Sequence, residues 1–308
     1  MIIEFLMVAV GLVILIFAGD ALVKGAVNLA LRLGLPALVV SLTVVAFGTS
    51  APELLVSVQA ILDGAPGLAL GNVVGSNTAN VLLVLGVPAL IATLHTSRCE
   101  TRRDFLYMLV ATFLFIAFCL TGRLVWWHGL ILLAVLAGIL ILTFLSSRGE
   151  EVEVEGVEPG LPGWKLAAYL VLGLIGLPLG AKLLVDGATE IARTFGVSET
   201  VIGLTLVAIG TSLPELATTV MAAIRRHADV ALGNVIGSNL FNLLGIIGVA
   251  LLVGPIPVEQ GFVVKDLWVM LAATLLLIPF VFLARDITRT WGVALTGLYA
   301  VYLYAAFL

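Results

Sequence analysis

The chain has 308 residues, of which 61% are hydrophobic and only 11% charged, and its mean hydropathy is +1.22. A water-soluble domain carries about 25% charged residues, so the composition excludes a soluble enzyme; the length accommodates about ten membrane helices of roughly 20 residues and no large domain outside the bilayer. A net charge of −4 excludes little, because the placement of the charges matters more than their sum.

The N-terminus, Met1-Ile2-Ile3-Glu4, lacks the basic region of a cleaved signal peptide, so the first apolar stretch reads as a retained span. In chain order the apolar stretches are about 2–33, 37–61, 68–93, 104–121, 124–146, 164–194, 200–223, 230–253, 266–284 and 291–308. Charged or turn residues separate them, among them Arg32-Leu33-Gly34, Asp63-Gly64, Arg102-Arg103-Asp104, Arg123, Arg225-Arg226 and Arg285-Asp286. The pattern predicts an all-α membrane protein of ten transmembrane helices. The first and sixth are long enough to be strongly tilted. Residues 147–163 read as an acidic cytoplasmic linker with Glu150, Glu151, Glu153, Glu155 and Glu158, ended by Pro159 and Pro162. The expected reading is a solvated tether, since the spacing is not that of a calcium loop; the alternative is a regulatory divalent-ion patch. It divides the chain into a first five-helix half, 1–146, and a second, 164–308.

The halves are related by an internal repeat. A shift of 162 residues lays 22–90 on 184–252 without a gap, with roughly 32 of 69 positions identical. The repeat cores are predicted at about 37–93 and 200–253. An odd number of spans per half requires the halves to enter the membrane in opposite directions, so the prediction is two inverted five-helix repeats. With the N-terminus outside, the cytoplasmic loops hold Arg32, Arg98, Arg102, Arg103, Arg148, Lys165, Arg225, Arg226, Arg285 and Arg289, and the outer loops only Arg123, Arg193 and Lys265. By the positive-inside rule both termini are expected outside. The repeat itself agrees: Arg225 and Arg226 align with Asp63 and Gly64.

Two hexapeptides lie at the centre of the repeats, Gly48-Thr49-Ser50-Ala51-Pro52-Glu53 and Gly210-Thr211-Ser212-Leu213-Pro214-Glu215. A carboxylate at bilayer depth costs several kcal/mol, on the order of 3 by translocon scales, and marks a functional site by default. Proline lacks an N–H and crowds the preceding turn, which frees carbonyls near Phe47 and Gly48 in one copy and near Ala208 in the other. Such carbonyls are tolerated in the membrane where they face protein or a hydrated cavity. Together with the Thr49, Ser50, Thr211 and Ser212 hydroxyls and the Glu53 and Glu215 carboxylates they are donors suited to a hard cation, calcium or sodium. The spans that follow carry Gly71-Asn72-Val73-Val74-Gly75-Ser76-Asn77 and Gly233-Asn234-Val235-Ile236-Gly237-Ser238-Asn239. Ser76 and Asn80 share a helix face, as do Ser238 and Asn242. These four are candidates for the site, and Asn72 and Asn234 for interhelical hydrogen bonds.

Other polar residues receive structural readings. His95, His128 and His227 fall at helix ends, which argues against a histidine proton relay. Trp126 and Trp127 fit an interfacial aromatic belt. Asp20 and Lys24, with their repeat images Lys182 and Asp186, are expected to form ion pairs on the two long helices. Cys99 and Cys119 form neither a disulfide framework nor a metal motif and read as a loop thiol and a membrane-buried thiol.

At the paired hexapeptides and GNVxGSN segments the chain resembles the cation/calcium exchanger superfamily, and most closely its compact prokaryotic sodium/calcium exchangers, over essentially its whole length. The resemblance implies exchange of sodium for calcium by alternating access, with the long first and sixth helices sliding across the repeat core. It implies Glu53 and Glu215 as shared carboxylate ligands, hydroxyl or carbonyl oxygens from Thr49, Ser50, Thr211 and Ser212, and the Ala46 and Ala208 carbonyls. It places Ser76 and Ser238 at outer sodium sites and Asn80 at a central amide. Asn242 departs: exchangers of this kind often carry an aspartate in one half, and potassium-dependent relatives in both. Two carboxylates balance one calcium or two sodium ions, and a third sodium would leave a unit charge in a low-dielectric cavity.

The function expected is therefore an antiporter, not an enzyme, in a prokaryotic inner membrane. Calcium and sodium are its cargo, the lipid bilayer is its surroundings, and neither a cofactor nor nucleic acid is expected. The alternative within transport is a proton-coupled calcium or other divalent-cation antiporter, since buried glutamates can titrate. A hydrolase would need a base beside a mid-span serine, and none is present. A passive channel fits inverted broken helices less well than an exchanger.

Overall fold

The structure, a computed structural model, describes residues 1–146, 161–196 and 208–307. The five linker glutamates and the start of the seventh apolar stretch, 200–207, lie outside the described residues. Helices dominate: α1 (Ile2–Leu33), α2 (Ala37–Thr49), α3 (Ala51–Leu62), α4 (Pro66–Ile91), α5 (Arg102–Cys119), α6 (Trp126–Ser146), α7 (Gly163–Thr194), α8 (Ala208–Thr211), α9 (Leu213–Ile224), α10 (Ala228–Val253), α11 (Phe262–Phe282) and α12 (Arg289–Phe307). Six of these are long and apolar enough to cross a membrane, and α2 with α3, joined at a 43° bend, makes a seventh.

The helices α4 and α10 form the centre. In their most apolar windows 72% and 83% of residues are buried, against 22% for both α1 and α7. Small residues let the central helices approach closely. A Cβ on Gly233 would lie 2.8 Å from the Leu38 carbonyl, and one on Gly237 2.4 Å from that of Leu42, so α10 packs on α2 backbone to backbone in parallel. The peripheral helices present Ile2, Phe17, Leu172 and Val301 outward at 61–87% exposure, a surface suited to lipid.

The long helices α1 and α7 are images under the repeat shift, and they pack against each other in opposite directions. Gly11 of α1 meets Gly180 and Leu184 of α7, while Leu22 of α1 meets Gly173. Their charged residues pair within each helix, Lys24 with Asp20 at 2.9 Å and Lys182 with Asp186 at 3.4 Å, and Asp20 also pairs with Arg225 at the end of α9.

Two features were absent from the sequence reading. First, wide π turns interrupt α2 at Ser41–Val45, α10 at Phe241–Ile246 and α11 at Phe262–Asp266. Such turns cluster at functional sites; the first ends just before the candidate residue Ala46, and the second contains the candidate Asn242. Second, short antiparallel clips join the halves. Strand β1 (Arg123–Leu124) pairs with β2 (Ile256–Pro257), and Leu94 bridges Ile287. Beside the second clip Asp286 accepts hydrogen bonds from the Ser97 amide at 3.0 Å and pairs with His95 at 2.9 Å. Partial burial opposes ionisation of that carboxyl, but these bonds outweigh it and hold Asp286 below the usual carboxylate range. In the same loop, burial pushes the Cys99 thiol up to about 12, which leaves it a poor nucleophile at neutral pH. Cys119 is buried, and both cysteines are free thiols.

Candidate cation site

Each hexapeptide breaks its helix at the serine. Ser50 (φ −85, ψ 6) and Ser212 (φ −86, ψ 3) adopt the same non-helical conformation, and Pro52 and Pro214 then open the next helix in the first turn, where a missing N–H costs nothing. The breaks point Glu53 and Glu215, at the start of α3 and α9, into the centre. Both are buried, at 1% and 0% exposure, and among the described residues no lysine or arginine pairs with either. The glycine of each hexapeptide faces α7: a Cβ on Gly48 would meet the Leu174 side chain at 2.0 Å and one on Gly210 would meet the Val185 side chain at 2.6 Å, so a larger residue at either break would push those side chains of α7 aside.

The two copies are bonded to each other. Ser50 Oγ donates to Glu215 Oε1 at 3.0 Å, and Thr49 Oγ1 donates to Asn234 Oδ1 at 3.3 Å. Asn72 Nδ2 donates to the Glu53 carbonyl (3.1 Å) and to Ser57 Oγ (3.0 Å); its image Asn234 does the same to Glu215 (3.3 Å) and Thr219 (3.1 Å). Both asparagines are thus helix-to-helix ties, as expected of them.

Asn77 and Asn239 were not among the sequence candidates, and they form a brace across the centre. Asn80 Nδ2 donates to Asn239 Oδ1 at 3.1 Å, and Asn242 Nδ2 donates to Asn77 Oδ1 at 2.9 Å. The amides of Asn77 and Asn239 donate in turn to each other's backbone carbonyls, at 3.4 and 3.5 Å. The four amides therefore spend their N–H groups on one another, which fixes the side-chain orientation. The oxygens of Asn80 and Asn242 are left over.

Those oxygens belong to a larger set. Glu53 Oε2, Glu215 Oε2, Ser212 Oγ, Ser238 Oγ, Asn80 Oδ1 and Asn242 Oδ1 are all buried with no hydrogen-bond partner in the protein. Ser238 lies beside the Glu215 carboxylate without making a well-shaped hydrogen bond to it. An unsatisfied buried polar atom costs about 1–3 kcal/mol, and most native structures hold only a few. The six here lie on the paired hexapeptides and the helices that follow, α4 and α10, and two are carboxylate oxygens; they are hard donors of the kind that suits calcium or sodium. Among the described residues there is no His, Cys, Asp and Glu cluster of the kind that holds a transition metal.

The remaining candidates are placed as follows. Thr49, Ser50, Ser76, Thr211 and Ser212 are all buried, and Thr49 and Ser50 lie beside the Glu215 carboxylate. The Ala46 carbonyl is not freed by the helix break, since it accepts the Ser50 amide at 3.0 Å and the Thr49 hydroxyl at 3.3 Å. Ala208 begins α8. His95, His128 and His227 all lie at helix starts or in the loops before them, away from the carboxylates.

The brace makes a specific prediction. Asn239→Ala removes the acceptor that orients Asn80 and the donor to Asn77, so the Asn80 amide is free to rotate. Loss of an orienting partner behind a metal ligand costs on the order of 10–100-fold in affinity. The calcium dependence of flux should shift by that factor, and an unchanged apparent affinity would show that the brace does not position the amide.

A multi-pass bundle with a buried, carboxylate-containing oxygen cage between broken helices defines a membrane cation transporter rather than an enzyme. Comparison with known proteins narrows the class. The profile of the family described as sodium/calcium exchanger protein matches residues 3–145 and 165–308, and the chain belongs to that family. It is 38% identical to the putative antiporter CaxA of Alkalimonas amylolytica, over 90% of this chain and 89% of that protein. It is 34% identical to the sodium/calcium exchanger MaX1 of Methanosarcina acetivorans, over 99% of each. Among solved structures it is similar to the sodium-calcium exchanger NCX_Mj, with a TM-score of 0.85, 33% identity and 98% of each chain covered.

Proposed function

We propose that the protein exchanges sodium for calcium by alternating access at the Glu53–Glu215 site. The observation that carries this reading is the cage of six unpartnered buried oxygens, lined by two carboxylates that no basic side chain neutralises. Such a cavity is costly to reorient empty and inexpensive to move once cations fill it, and that difference couples the two fluxes. The ligands are Glu53 and Glu215, with Thr49, Ser50, Thr211, Ser212, Ser76, Ser238, Asn80 and Asn242 and the Ala208 carbonyl around them; the Ala46 carbonyl, which already accepts the Ser50 amide and the Thr49 hydroxyl, is left out of the set. The similarity to proteins named as sodium/calcium exchangers supports sodium as the coupling ion.

The chain is read as ten spans in two inverted five-helix halves, in a prokaryotic inner membrane with both termini outside. Three observations support it. The image helices α1 and α7 run in opposite directions, the Asn77–Asn239 contact is reciprocal, and the basic loop residues favour one side.

In proteoliposomes with pH clamped, an imposed outward sodium gradient should drive calcium uptake, and potassium should not. Calcium uptake that follows only a proton gradient would replace sodium by protons as the coupling ion. Uptake without trans stimulation would identify a channel.

A further inference from the structure

The repeat relates three pairs of charged positions with their signs exchanged. Asp20 and Lys24 of α1 have Lys182 and Asp186 of α7 as images, and Arg225, at the end of α9, has Asp63, at the end of α3. In the structure Asp20 is bonded to Arg225, a contact from the long helix of one half to the short helix of the other. Its image would be Lys182 with Asp63, again between halves and with the polarity reversed. That contact is not made: Lys182 is held by Asp186 on its own helix at 3.4 Å, and Asp63 accepts from Gln59 on its own helix at 2.8 Å.

The asymmetry extends beyond the charges. α1 lies directly on α9, where a Cβ on Gly19 would come within 3.0 Å of the Ala217 carbonyl and 3.2 Å of the Met221 side chain. The image positions on α3 are Leu55 and Gln59, and α7 does not cover them. Leu55 is 70% exposed, and Leu62, two turns on, is 65% exposed. Two halves with closely similar sequences thus hold their long helices differently against the opposite half.

We infer that Asp20–Arg225 and Lys182–Asp63 are alternate latches, one for each of two conformations related by exchange of the roles of the halves. In the structure the first is closed and the second open. In the other conformation α7 lies on α3, Lys182 leaves Asp186 for Asp63, and Arg225 is released from Asp20. The reversed signs follow from sidedness: the latch at the inner face carries its arginine on the short helix, where basic residues are favoured, and the latch at the outer face carries aspartate there. Half-exposed ion pairs are weak, so each latch biases the conformational ratio by about two- to fivefold and leaves the protein able to cycle. The proposal rests on the inverted-repeat antiporter reading above.

Cross-linking of the full chain in proteoliposomes tests it, with Cys99→Ala and Cys119→Ala as background. One variant carries Asp20→Cys and Arg225→Cys, a second Asp63→Cys and Lys182→Cys, and a third all four. A short bifunctional methanethiosulfonate should bridge each pair when present alone, arrest calcium flux in both cases, and release it on reduction. The four-cysteine chain should carry one bridge or the other and never both. Both bridges in one molecule, or an active protein in which the 63–182 pair never bridges while 20–225 does, would overturn the latch. Charge exchange gives a reading that does not depend on cross-linker reach. Lys182→Asp should slow exchange about two- to fivefold, and adding Asp63→Lys should restore it. Failure of the second change to restore the rate overturns the proposal. Wild-type protein run alongside separates the two levels: without sodium-driven calcium flux the antiport reading fails, whereas mutually exclusive bridges would still establish the two conformations.

Discussion

Replacing Glu53 by Gln, or Glu215 by Gln, abolishes sodium-driven calcium uptake in proteoliposomes while the protein still folds. Each substitution removes one of two formal charges that face a divalent ion. At an effective dielectric near 20 a unit charge about 4 Å from a divalent ion contributes roughly 8 kcal/mol before desolvation is counted, so loss of one carboxylate weakens calcium binding by several orders of magnitude. Folding responds in the opposite sense. Two buried carboxylates without a basic partner strain the empty protein, and an amide of nearly the same shape relieves part of that cost. The variants should therefore melt at or above the wild-type temperature without added cations, and they should lose the stabilisation that calcium gives the wild type. Retained sodium-driven calcium flux in either variant would remove both glutamates from the site. Inactivity with a lowered melting temperature would place the defect in folding instead.

Replacing Asn242 by Asp changes the charge moved per cycle. The wild-type cage has two carboxylates, which one calcium or two sodium ions neutralise, so its exchange should respond little to an imposed membrane potential. A third carboxylate leaves a unit negative charge with calcium bound and invites a third sodium. Exchange by the variant should then be accelerated by one polarity of potential and slowed by the other. The structure gives the new carboxylate a means of fitting. Asn242 now donates to Asn77 Oδ1 at 2.9 Å, and a rotated Asn77 amide could donate instead, giving up only its 3.4 Å bond to the Asn239 carbonyl. Equal potential dependence in wild type and variant would show that the count of carboxylates does not set the stoichiometry.

Much of this was legible in the sequence because it rests on local rules. A buried glutamate one residue past a proline in an apolar stretch is costly enough to stand out, and a 162-residue repeat needs no structure to be seen. Freed carbonyls were expected about a turn upstream of each proline, near Phe47 and Gly48 in one copy and near Ala208 in the other; the helix breaks lie at Ser50 and Ser212, because proline is accommodated in the first turn of the following helix. The brace was not legible. Asn77 and Asn80 are three residues apart and alike in type, and only the partner helix decides which amide faces the cage and which supports it. The clips were hidden for a similar reason: Leu94–Ile287 and Leu124–Ile256 pair residues from distant loops through backbone groups, which any residue type can supply. The π turn at Phe241–Ile246 leaves no mark in composition either.

The reciprocal bonds of Asn77 and Asn239 are what a two-fold dimer makes at its axis, where residue i meets residue j and j meets i. The Ser50–Glu215 bond and both clips also join one half to the other. The cage is in effect a subunit interface written into a single polypeptide. In a dimer of identical halves every substitution appears twice, so the charge of a site on the axis can change only in steps of two. Joining the halves in one chain lifts that restriction. Position 225 can carry an arginine where its image, position 63, carries an aspartate, and the amide at position 242 can vary without the amide at position 80. A fused duplication can therefore set the charge of its cargo one unit at a time.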